Sequence, residues 1–392
     1  MNILFHCSEY PPFRNGGIGS VIRIVAEELA SRGHNIYVSG YYSGLNKSES
    51  IEVINGVTIL RYNYRPSQSS FQKKLRLYRN KVRLLGNLIQ EELDFYEDRV
   101  EELIVKYHIQ VLELTDFYEF NVYRTTLKYR RFSVPTVIRV HGSESFMLFN
   151  TGKKYAHAFK NDKAHFSRAD YLSSVSNYSQ EYVSNMMPDV QFKSKVVIYN
   201  PIENKFLKHN APSNNKLILY IGKLIKTKGA YDVIKAFNCV VEKYPDWELH
   251  MLGTGSIEEA QTFTTELSRN KIKFLGFCDR DKVAEEIDNC AFACIPTHFE
   301  TFGMVPLEIM GRTRAVIFTE RTSGKEIIKD GIDGYTVNPE NVDEIFLKMQ
   351  DLINDEIIRN SLAEEGYKKV CEQFSANSIV DILLSYYSNL NK

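Results

Sequence analysis

Residues 290–308, CAFACIPTHFETFGMVPLE, pass from an apolar run through a short polar loop to a glycine and a proline. The apolar run, 290–295, is typical of a buried strand. Pro306 indicates a helix start, because proline lacks the N–H group that a first helical turn leaves unpaired. A buried strand that leads into a helix is the repeating unit of a parallel α/β sheet. This stretch therefore predicts a parallel α/β fold.

The same stretch places two carboxylates around the predicted helix start. Gly303 leaves room for an anion at the backbone N–H groups of the first turn, where the helix dipole is positive. Glu308 falls in the predicted first turn, where a carboxylate can accept bonds from both hydroxyls of a ribose. Glu300 lies in the loop before the glycine. The pattern suits a sugar-nucleotide site; the alternative is a surface acid plus a helix N-terminal acid favoured by the dipole.

The rest of the chain repeats the alternation of strands and helices. Strands are predicted in the first half at 3–5, 36–39, 58–61, 111–114, 136–140, 171–175 and 196–199. They are predicted in the second half at 217–221, 248–252, 272–275, 291–295, 315–318 and 335–337. Residues 200–206 and 210–215 have the composition of a linker. Two doubly wound units in series are therefore predicted, with a ligand between the carboxyl ends of their strands.

Length and composition bound the class of protein. The 392 residues exceed one ordinary core, so two domains of about 200 residues each are expected. The chain has 49 lysines and arginines and 49 aspartates and glutamates, so its formal net charge is zero. There is no overall positive charge that would favour binding to nucleic acid. The six cysteines include no C-x-x-C pair, and no apolar stretch is long enough to span a membrane. Residues 1–5 suit a first strand rather than a signal peptide, so we expect a cytoplasmic protein with reduced thiols.

Four further segments supply partners for such a site. The turn after the first predicted strand contains Gly16, Gly17 and Gly19, which allow close backbone approach to a ligand; the alternative is a turn needed only for geometry. Lys223 and Lys228 can direct two cations at one diphosphate, although solvated lysines are common. His141 and Asp116 stand at the carboxyl ends of two predicted strands of the first half; a lone histidine is more often structural.

Together these segments resemble the retaining glycosyltransferases of family 4. Glu300 and Glu308 match the E-x7-E segment of that family, and Gly222-Lys223-Leu224 with Lys228-Gly229 resembles its G-R-L-x-x-x-K-G segment. Gly253-Thr254-Gly255 and Phe274-Leu275-Gly276-Phe277 resemble its second glycine turn and its base-binding strand end. The resemblance implies the GT-B fold, with two Rossmann-like domains that face each other across a cleft. It places an acceptor-side domain at 1–203, completed by a helix at about 376–392, and a nucleotide-sugar domain at 204–375.

The resemblance also implies a role for each matching residue. Glu300 would contact the donor sugar, His141 would lie on the other side of that sugar, and Lys223 and Lys228 would stabilise the leaving diphosphate. The residues assigned to the donor nucleotide are Gly17, Gly222, Lys223, Lys228, Gly253, Phe277, Phe302, Gly303, Met304, Val305 and Glu308. Gly16 and Asp116 are assigned to the acceptor side, and no metal ligand is assigned. The chain departs from the family at Lys223, where arginine is usual, at 313–315, and at Thr322-Ser323, where two glycines are common.

The activity implied is transfer of a hexose, with UDP-glucose as the first choice of donor, to a saccharide or lipid-linked glycan in surface polysaccharide synthesis. No cofactor or metal ion is expected, because the cations of the site serve in its place. One alternative is a sugar-nucleotide epimerase on the same fold. Another is a sugar-nucleotide-binding protein without catalytic activity, although a protein of that kind need not keep both glutamates and both lysines.

A basic segment at 73–85 is a candidate for contact with the membrane. No acidic residue occurs between Val53 and Gln90, whereas six lysines and arginines fall within 73–85, interleaved with leucine, tyrosine and valine. A basic amphipathic helix of this kind can lie on an anionic bilayer, here the inner face of the plasma membrane. The alternative is a solvated helix face balanced by the acidic residues that follow from Glu91.

Overall fold

The computed structural model describes residues 1–12, 16–42, 45, 47–63, 71, 74, 75, 78, 86–121, 126–150, 152 and 156–390, without the side chains of 86–88. The chain forms two compact units. The N-terminal unit comprises 1–201 and 379–392, and the C-terminal unit comprises 202–378. Most of the basic segment 73–85 lies outside the described residues, and so do residues 13–15 of the glycine-rich turn. Among the described residues, no helix has both the length and the apolar character needed to cross a bilayer.

The N-terminal unit contains an eight-stranded sheet. Its strands are β1 Asn2–His6, β2 Asn35–Tyr41, β3 Glu49–Ile54, β4 Val57–Tyr62, β5 Val111–Thr115, β6 Thr136–Val140, β7 Tyr171–Ser174 and β8 Ser194–Val197. Their order is β3-β4-β2-β1-β5-β6-β7-β8, and every pair is parallel except β3 with β4. Strand β8 begins two residues before the predicted strand at 196–199. The predicted doubly wound parallel sheet is otherwise confirmed for this unit.

Strand β3 was not predicted, although the sequence carries a hairpin signal. Asn55 and Gly56 connect β3 to β4 with φ angles of 50° and 79°. Both residues are left-handed, as a two-residue hairpin turn requires, and Asn-Gly is the favoured sequence for it. Ile51 and Val53 point to solvent from this edge strand. The strand therefore buries little apolar surface, and its pattern is weaker than that of the central strands.

Helices cover the N-terminal sheet: α1 Gly17–Ser31, α2 Gly86–Lys106, α3 Glu144–Asn150, α4 Ala156–Phe166 and α5 Asn177–Met186. The C-terminal helix, Ala376–Ser388, also belongs to its core, because Ile379, Val380 and Leu383 pack in one cluster with residues of β1 and β2. The Tyr387 hydroxyl near the end of that helix donates to Glu113 on β5. Burial and this hydrogen bond anchor the last helix on the first sheet.

The C-terminal unit contains a six-stranded, wholly parallel sheet. Its strands are β9 Leu217–Ile221, β10 Glu248–Leu252, β11 Ile272–Gly276, β12 Phe292–Ile295, β13 Ala315–Thr319 and β14 Tyr335–Val337. The helices between them are α6 Ala230–Lys243, α7 Ile257–Gln261, α8 Glu266–Arg269, α9 Arg280–Asn289, α10 Met304–Met310, α11 Gly324–Ile327, α12 Val342–Asn354 and α13 Glu356–Gln373. The order β11-β10-β9-β12-β13-β14 reverses direction between β9 and β12. Open α/β sheets bind ligands at the carboxyl ends of the strands beside such a reversal.

Helix α10 begins earlier than the sequence predicted. Gly303 is its N-cap, with φ 105°, and Met304 is its first residue. Pro306 is therefore the third helical residue rather than the first, a position that also needs no intrahelical N–H bond. Glu308 lies one residue beyond the first turn, so the prediction that placed it in that turn was wrong.

Candidate active site

Three glycine turns lie side by side at the carboxyl edge of the C-terminal sheet. Gly222, Gly253 and Gly276 stand at the ends of β9, β10 and β11. The Gly222 N–H donates to Leu252 O at 2.8 Å, and the Gly253 N–H donates to Gly276 O at 2.8 Å. Gly253 has φ 141°, and a Cβ there would come within 1.9 Å of Gly222 O. Only glycine fits this close approach, which leaves the two predicted donor turns, at Gly222 and Gly253, as bare backbone.

Lys228 and Glu300 meet at the point where the strand order reverses. Lys228 follows β9 and Glu300 follows β12, and Lys228 Nζ donates to Glu300 Oε2 at 2.8 Å. The two side chains are 35% and 26% exposed, so both can still reach a ligand. Gly229, next to Lys228, is left-handed, and a Cβ there would come within 2.1 Å of Pro296 O. This close approach of α6 to the loop after β12 brings Lys228 and Glu300 together. Lys223, by contrast, is exposed.

The start of α10 presents backbone groups beside this pair. The N–H groups of its first turn have no intrahelical acceptor, and the dipole makes this end positive. Met304 and Val305 are half-buried. Phe302 was predicted to bind the donor, but its side chain is buried against the ring of Phe374. The backbone of Phe302, rather than its ring, is thus the part available to a ligand.

Glu308 is a buried carboxylate with an arginine partner that the sequence did not predict. Arg280 Nη2 donates to Glu308 Oε1 at 2.8 Å, and Arg280 also lies 3.6 Å from Glu203 Oε1. Burial raises the pKa of Glu308 above its usual value, and the Arg280 guanidinium opposes that rise. Arg280 is the first residue of α9, where a cation opposes the helix dipole. Because a cation is unfavourable at that position, its presence suggests a nearby acid. This was the only signal in the sequence that Arg280 has an acidic partner.

Phe277 is the most exposed aromatic residue named in the prediction. It follows Gly276 at the end of β11 and is 83% exposed. Gly276 is left-handed, with φ 67°, so the chain turns sharply between the strand and Phe277. An exposed ring at the carboxyl edge of a Rossmann-like sheet is suited to cover a nucleobase.

In the N-terminal unit, Asp116 holds the turn that carries His141. The Asp116 carboxylate accepts from the backbone N–H groups of His141 and Gly142, both at 2.9 Å, and from that of Phe117 at 3.0 Å. Burial raises the pKa of Asp116 to about 7, against the effect of these three donors. Both carboxylate oxygens are occupied by the backbone. Asp116 therefore fixes the His141 turn, and direct contact with an acceptor remains a prediction.

His141 itself is an uncharged imidazole at neutral pH. Burial, together with the nearby Arg139, lowers the pKa of His141 well below its usual value. Its Nε2 atom is buried and has no hydrogen-bond partner among the described residues. A neutral imidazole can either donate or accept through this atom, depending on its tautomer.

The two glycines predicted near the ligand differ in their surroundings. Gly16 is the N-cap of α1, and a Cβ there would come within 1.9 Å of the Glu9 carboxylate. That carboxylate is the far end of a flexible side chain and can move aside, so packing alone does not require glycine at 16. Gly17 has no atom within 4 Å of the position that a Cβ would occupy, so packing alone does not require glycine there. Within the described part of the chain, no three His, Cys, Asp or Glu residues are grouped so that they could hold a metal ion.

Comparisons with known proteins find similarity to glycosyltransferases. The family model of glycosyl transferases group 1 matches residues 201–369, which make up most of the C-terminal unit. The chain is 27% identical to an uncharacterised glycosyltransferase of Methanocaldococcus jannaschii over 267 residues, which are 67% of this chain and 70% of that protein. It is 28% identical to CapM, a capsular polysaccharide biosynthesis glycosyltransferase of Staphylococcus aureus, over 207 residues, or 52% of this chain and 53% of CapM.

Solved structures extend the similarity over the whole chain. HepE of Anabaena, solved in complex with UDP-glucose, is 17% identical to the chain and covers 99% of it, with 99% of HepE matched and a TM-score of 0.69. At this identity the match establishes the fold alone. Together, the family match over 201–369, the two relatives and this fold support a glycosyltransferase with the GT-B fold.

Proposed function

We propose that the protein is a retaining glycosyltransferase of family 4 that transfers glucose from UDP-glucose to a saccharide or lipid-linked glycan in surface polysaccharide synthesis. The observation that carries this proposal is the Lys228–Glu300 ion pair, which lies at the reversal of the strand order, beside the start of α10. The complex of HepE with UDP-glucose favours that donor. The similarity to CapM favours a polysaccharide product.

The C-terminal unit supplies the groups proposed to bind the nucleotide. Lys228 and Lys223, with the backbone N–H groups at 303–305, would stabilise the diphosphate as it leaves, which is commonly the largest electrostatic contribution to such a reaction. Glu308 would accept from the ribose through the oxygen that Arg280 leaves available. Phe277 and the bare backbone at Gly222 and Gly253 would adjoin the base and the phosphates. These cations take the place of a metal ion, so activity should persist in the presence of a chelator.

The proposed reaction replaces the phosphate oxygen at the anomeric carbon with an acceptor hydroxyl on the same face of the sugar. The bond from the anomeric carbon to the diphosphate breaks, the bond to the acceptor oxygen forms, and the leaving phosphate helps to take up the acceptor proton. Glu300 would hold hydroxyls of the donor sugar rather than attack it, because its carboxylate pairs with Lys228. His141, as a neutral imidazole, would bind the sugar through Nε2.

The test of this function is a screen of the purified full chain against nucleotide sugars, with and without EDTA. Thermal shift reports binding, and release of the nucleoside diphosphate reports turnover, with a saccharide acceptor and with water alone. We expect UDP-glucose to stabilise the protein and to be turned over both with and without EDTA. Conversion of the donor into an isomeric sugar nucleotide would indicate the epimerase instead. Binding without any turnover would indicate the non-catalytic alternative.

The ribose assignment predicts that Glu308→Gln weakens UDP binding by about 1–3 kcal/mol, the cost of removing one partner of a buried hydrogen bond. The change keeps the side-chain volume, so calorimetry should show weaker binding without loss of the fold. A matched ligand separates ribose contact from local damage. Wild-type protein should bind 2′-deoxy-UDP less tightly than UDP, whereas the variant should bind the two alike. If wild type and variant discriminate between these nucleotides equally, the assignment is wrong.

The lipid-linked acceptor predicts that the protein associates with anionic membranes from the cytoplasmic side. Of the basic segment, the structure describes Lys74, Leu75 and Tyr78, all exposed. Liposomes that contain anionic lipid should carry the protein in flotation at low salt. At high salt the association should be lost, because the Debye length falls from about 10 Å at 0.1 M to about 3 Å at 1 M. Flotation with purely zwitterionic lipid, or flotation insensitive to salt, would contradict an electrostatic contact.

A further inference from the structure

Thr322, in the loop after β13, has a backbone conformation that threonine rarely adopts. Its φ angle is 54°, in the left-handed region, where a β-branched side chain is strained. Glycine would take the same conformation without that strain. The Thr322 hydroxyl oxygen accepts from the backbone N–H of Glu300 at 3.3 Å. The strained residue is therefore in direct contact with the backbone of the proposed sugar-binding acid.

Ser323 holds the same loop from the next position. Its hydroxyl donates to Phe302 O at 2.7 Å, with Glu300 O as a second acceptor at 3.3 Å. Ser323 is completely buried, so water does not compete for these bonds. A buried hydroxyl that satisfies a loop carbonyl fixes the position of that carbonyl closely. Thr322 and Ser323 thus hold the backbone on both sides of the Glu300 side chain.

The other end of the loop is held by α6 and the turn before it. His298 Nε2 lies 2.7 Å from Asp232 Oδ2 on α6. The Thr297 hydroxyl donates to Thr227 O at 3.1 Å. The loop from 296 to 303 is therefore attached at both ends, and the Glu300 carboxylate is directed at Lys228 from a fixed backbone.

We propose that Thr322 and Ser323 are positioning residues that fix Glu300 for its contact with the donor sugar, an inference that rests on the proposed function of Glu300. The family that the chain resembles commonly has two glycines at these positions. Here the Thr322 and Ser323 side chains each supply a hydrogen bond that glycine cannot make. The strain at Thr322 is retained because its hydroxyl is needed there, as strained backbone often is at functional sites.

The chain contains a matched control for this proposal. Thr313 is also left-handed, with φ 55°, and its hydroxyl oxygen also accepts a backbone N–H, that of Asn210 at 3.2 Å. Thr313 precedes β13, whereas Thr322 follows it, so the two residues stand at opposite edges of the sheet. Thr313→Gly relieves the same kind of strain without touching the Glu300 loop.

The test compares kcat, the KM for the nucleotide-sugar donor and the unfolding temperature of full-length variants. Thr322→Gly should lower kcat by about 10- to 100-fold, as small misplacements of reacting groups do, while the unfolding temperature stays equal or rises. The KM for the donor should stay within about 2-fold of wild type, because the diphosphate contacts remain. Thr322→Ser, which keeps the hydroxyl, should retain wild-type kcat. Thr313→Gly should also retain wild-type kcat, whereas Ser323→Ala should lower kcat, as Thr322→Gly does.

Wild-type kcat in both Thr322→Gly and Ser323→Ala would overturn the inference, and so would an equal loss in Thr313→Gly. Glu300→Gln, assayed beside them, separates this failure from a failure of the proposed function. An inactive Glu300→Gln, with Thr322→Gly and Ser323→Ala both fully active, would reject the positioning role alone. A wild-type protein that turns over no nucleotide sugar would reject the proposed function, and the inference with it.

Discussion

Glu300→Gln should lower kcat for sugar transfer by on the order of 100-fold, because in the proposed role this change removes the charged group that orients the donor sugar. UDP should still bind at least as tightly as to wild type. The reason is the ion pair in the structure: Lys228 Nζ is 2.8 Å from Glu300 Oε2. The diphosphate must compete with that carboxylate for Lys228, and glutamine is a weaker competitor.

Kinetics together with calorimetry can check both halves of this prediction. Steady-state assays with UDP-glucose give kcat, and titration with UDP gives the affinity. A matched control is Glu340→Gln, since Glu340 is an exposed acid of the same unit that pairs with Arg321. That change removes the same charge and should leave both values unchanged. Near-normal turnover by Glu300→Gln would disprove the role of Glu300, and weaker UDP binding would disprove the competition for Lys228.

The sequence predicted the α/β class, two parallel sheets and almost every strand, because buried parallel strands are short apolar runs between turn residues. It missed β3, which lies at the sheet edge with Ile51 and Val53 exposed. It also placed the start of α10 two residues late. Proline is compatible with more than one position in a first turn, and the left-handed Gly303 decided which one the chain adopts. Local rules thus identified this helix but not its first residue.

The candidate site was predictable where its residues follow strands directly. Lys228 and Glu300 are far apart in sequence, and their proximity followed from the parallel topology. The Glu308–Arg280 pair depends on the packing of α9 beside α10, which no local pattern specifies. Thr322 and Ser323 could be noticed in the sequence only as departures from two glycines. Their hydrogen bonds to the Glu300 loop depend on a left-handed threonine, which intrinsic preference would not predict.

Lys228→Ala should reduce both donor affinity and turnover. The loss of the leaving-group contact should lower kcat by about 100- to 1000-fold, the range measured when one donor to a developing charge is removed. UDP affinity should fall by about 1.5–3 kcal/mol, the value of a hydrogen bond to a charged group. Lys226→Ala is the matched control, because Lys226 is an exposed lysine on the same turn. An equal loss of kcat and UDP affinity in Lys226→Ala would indicate nonspecific electrostatic attraction rather than a direct contact with the diphosphate.

The double variant Lys228→Ala/Glu300→Gln tests whether the two residues act on one substrate. If Lys228 binds the diphosphate while Glu300 holds the sugar, each change alone disables the same transition state. The double variant should then be little worse than the poorer single variant, because residues that act as a unit are not additive. The opposite result, in which the two losses multiply in kcat/KM, would mean that the residues contribute independently. In that case the ion pair would be a structural contact of the ligand-free protein, and the division of roles between the cation and the carboxylate would have to be abandoned.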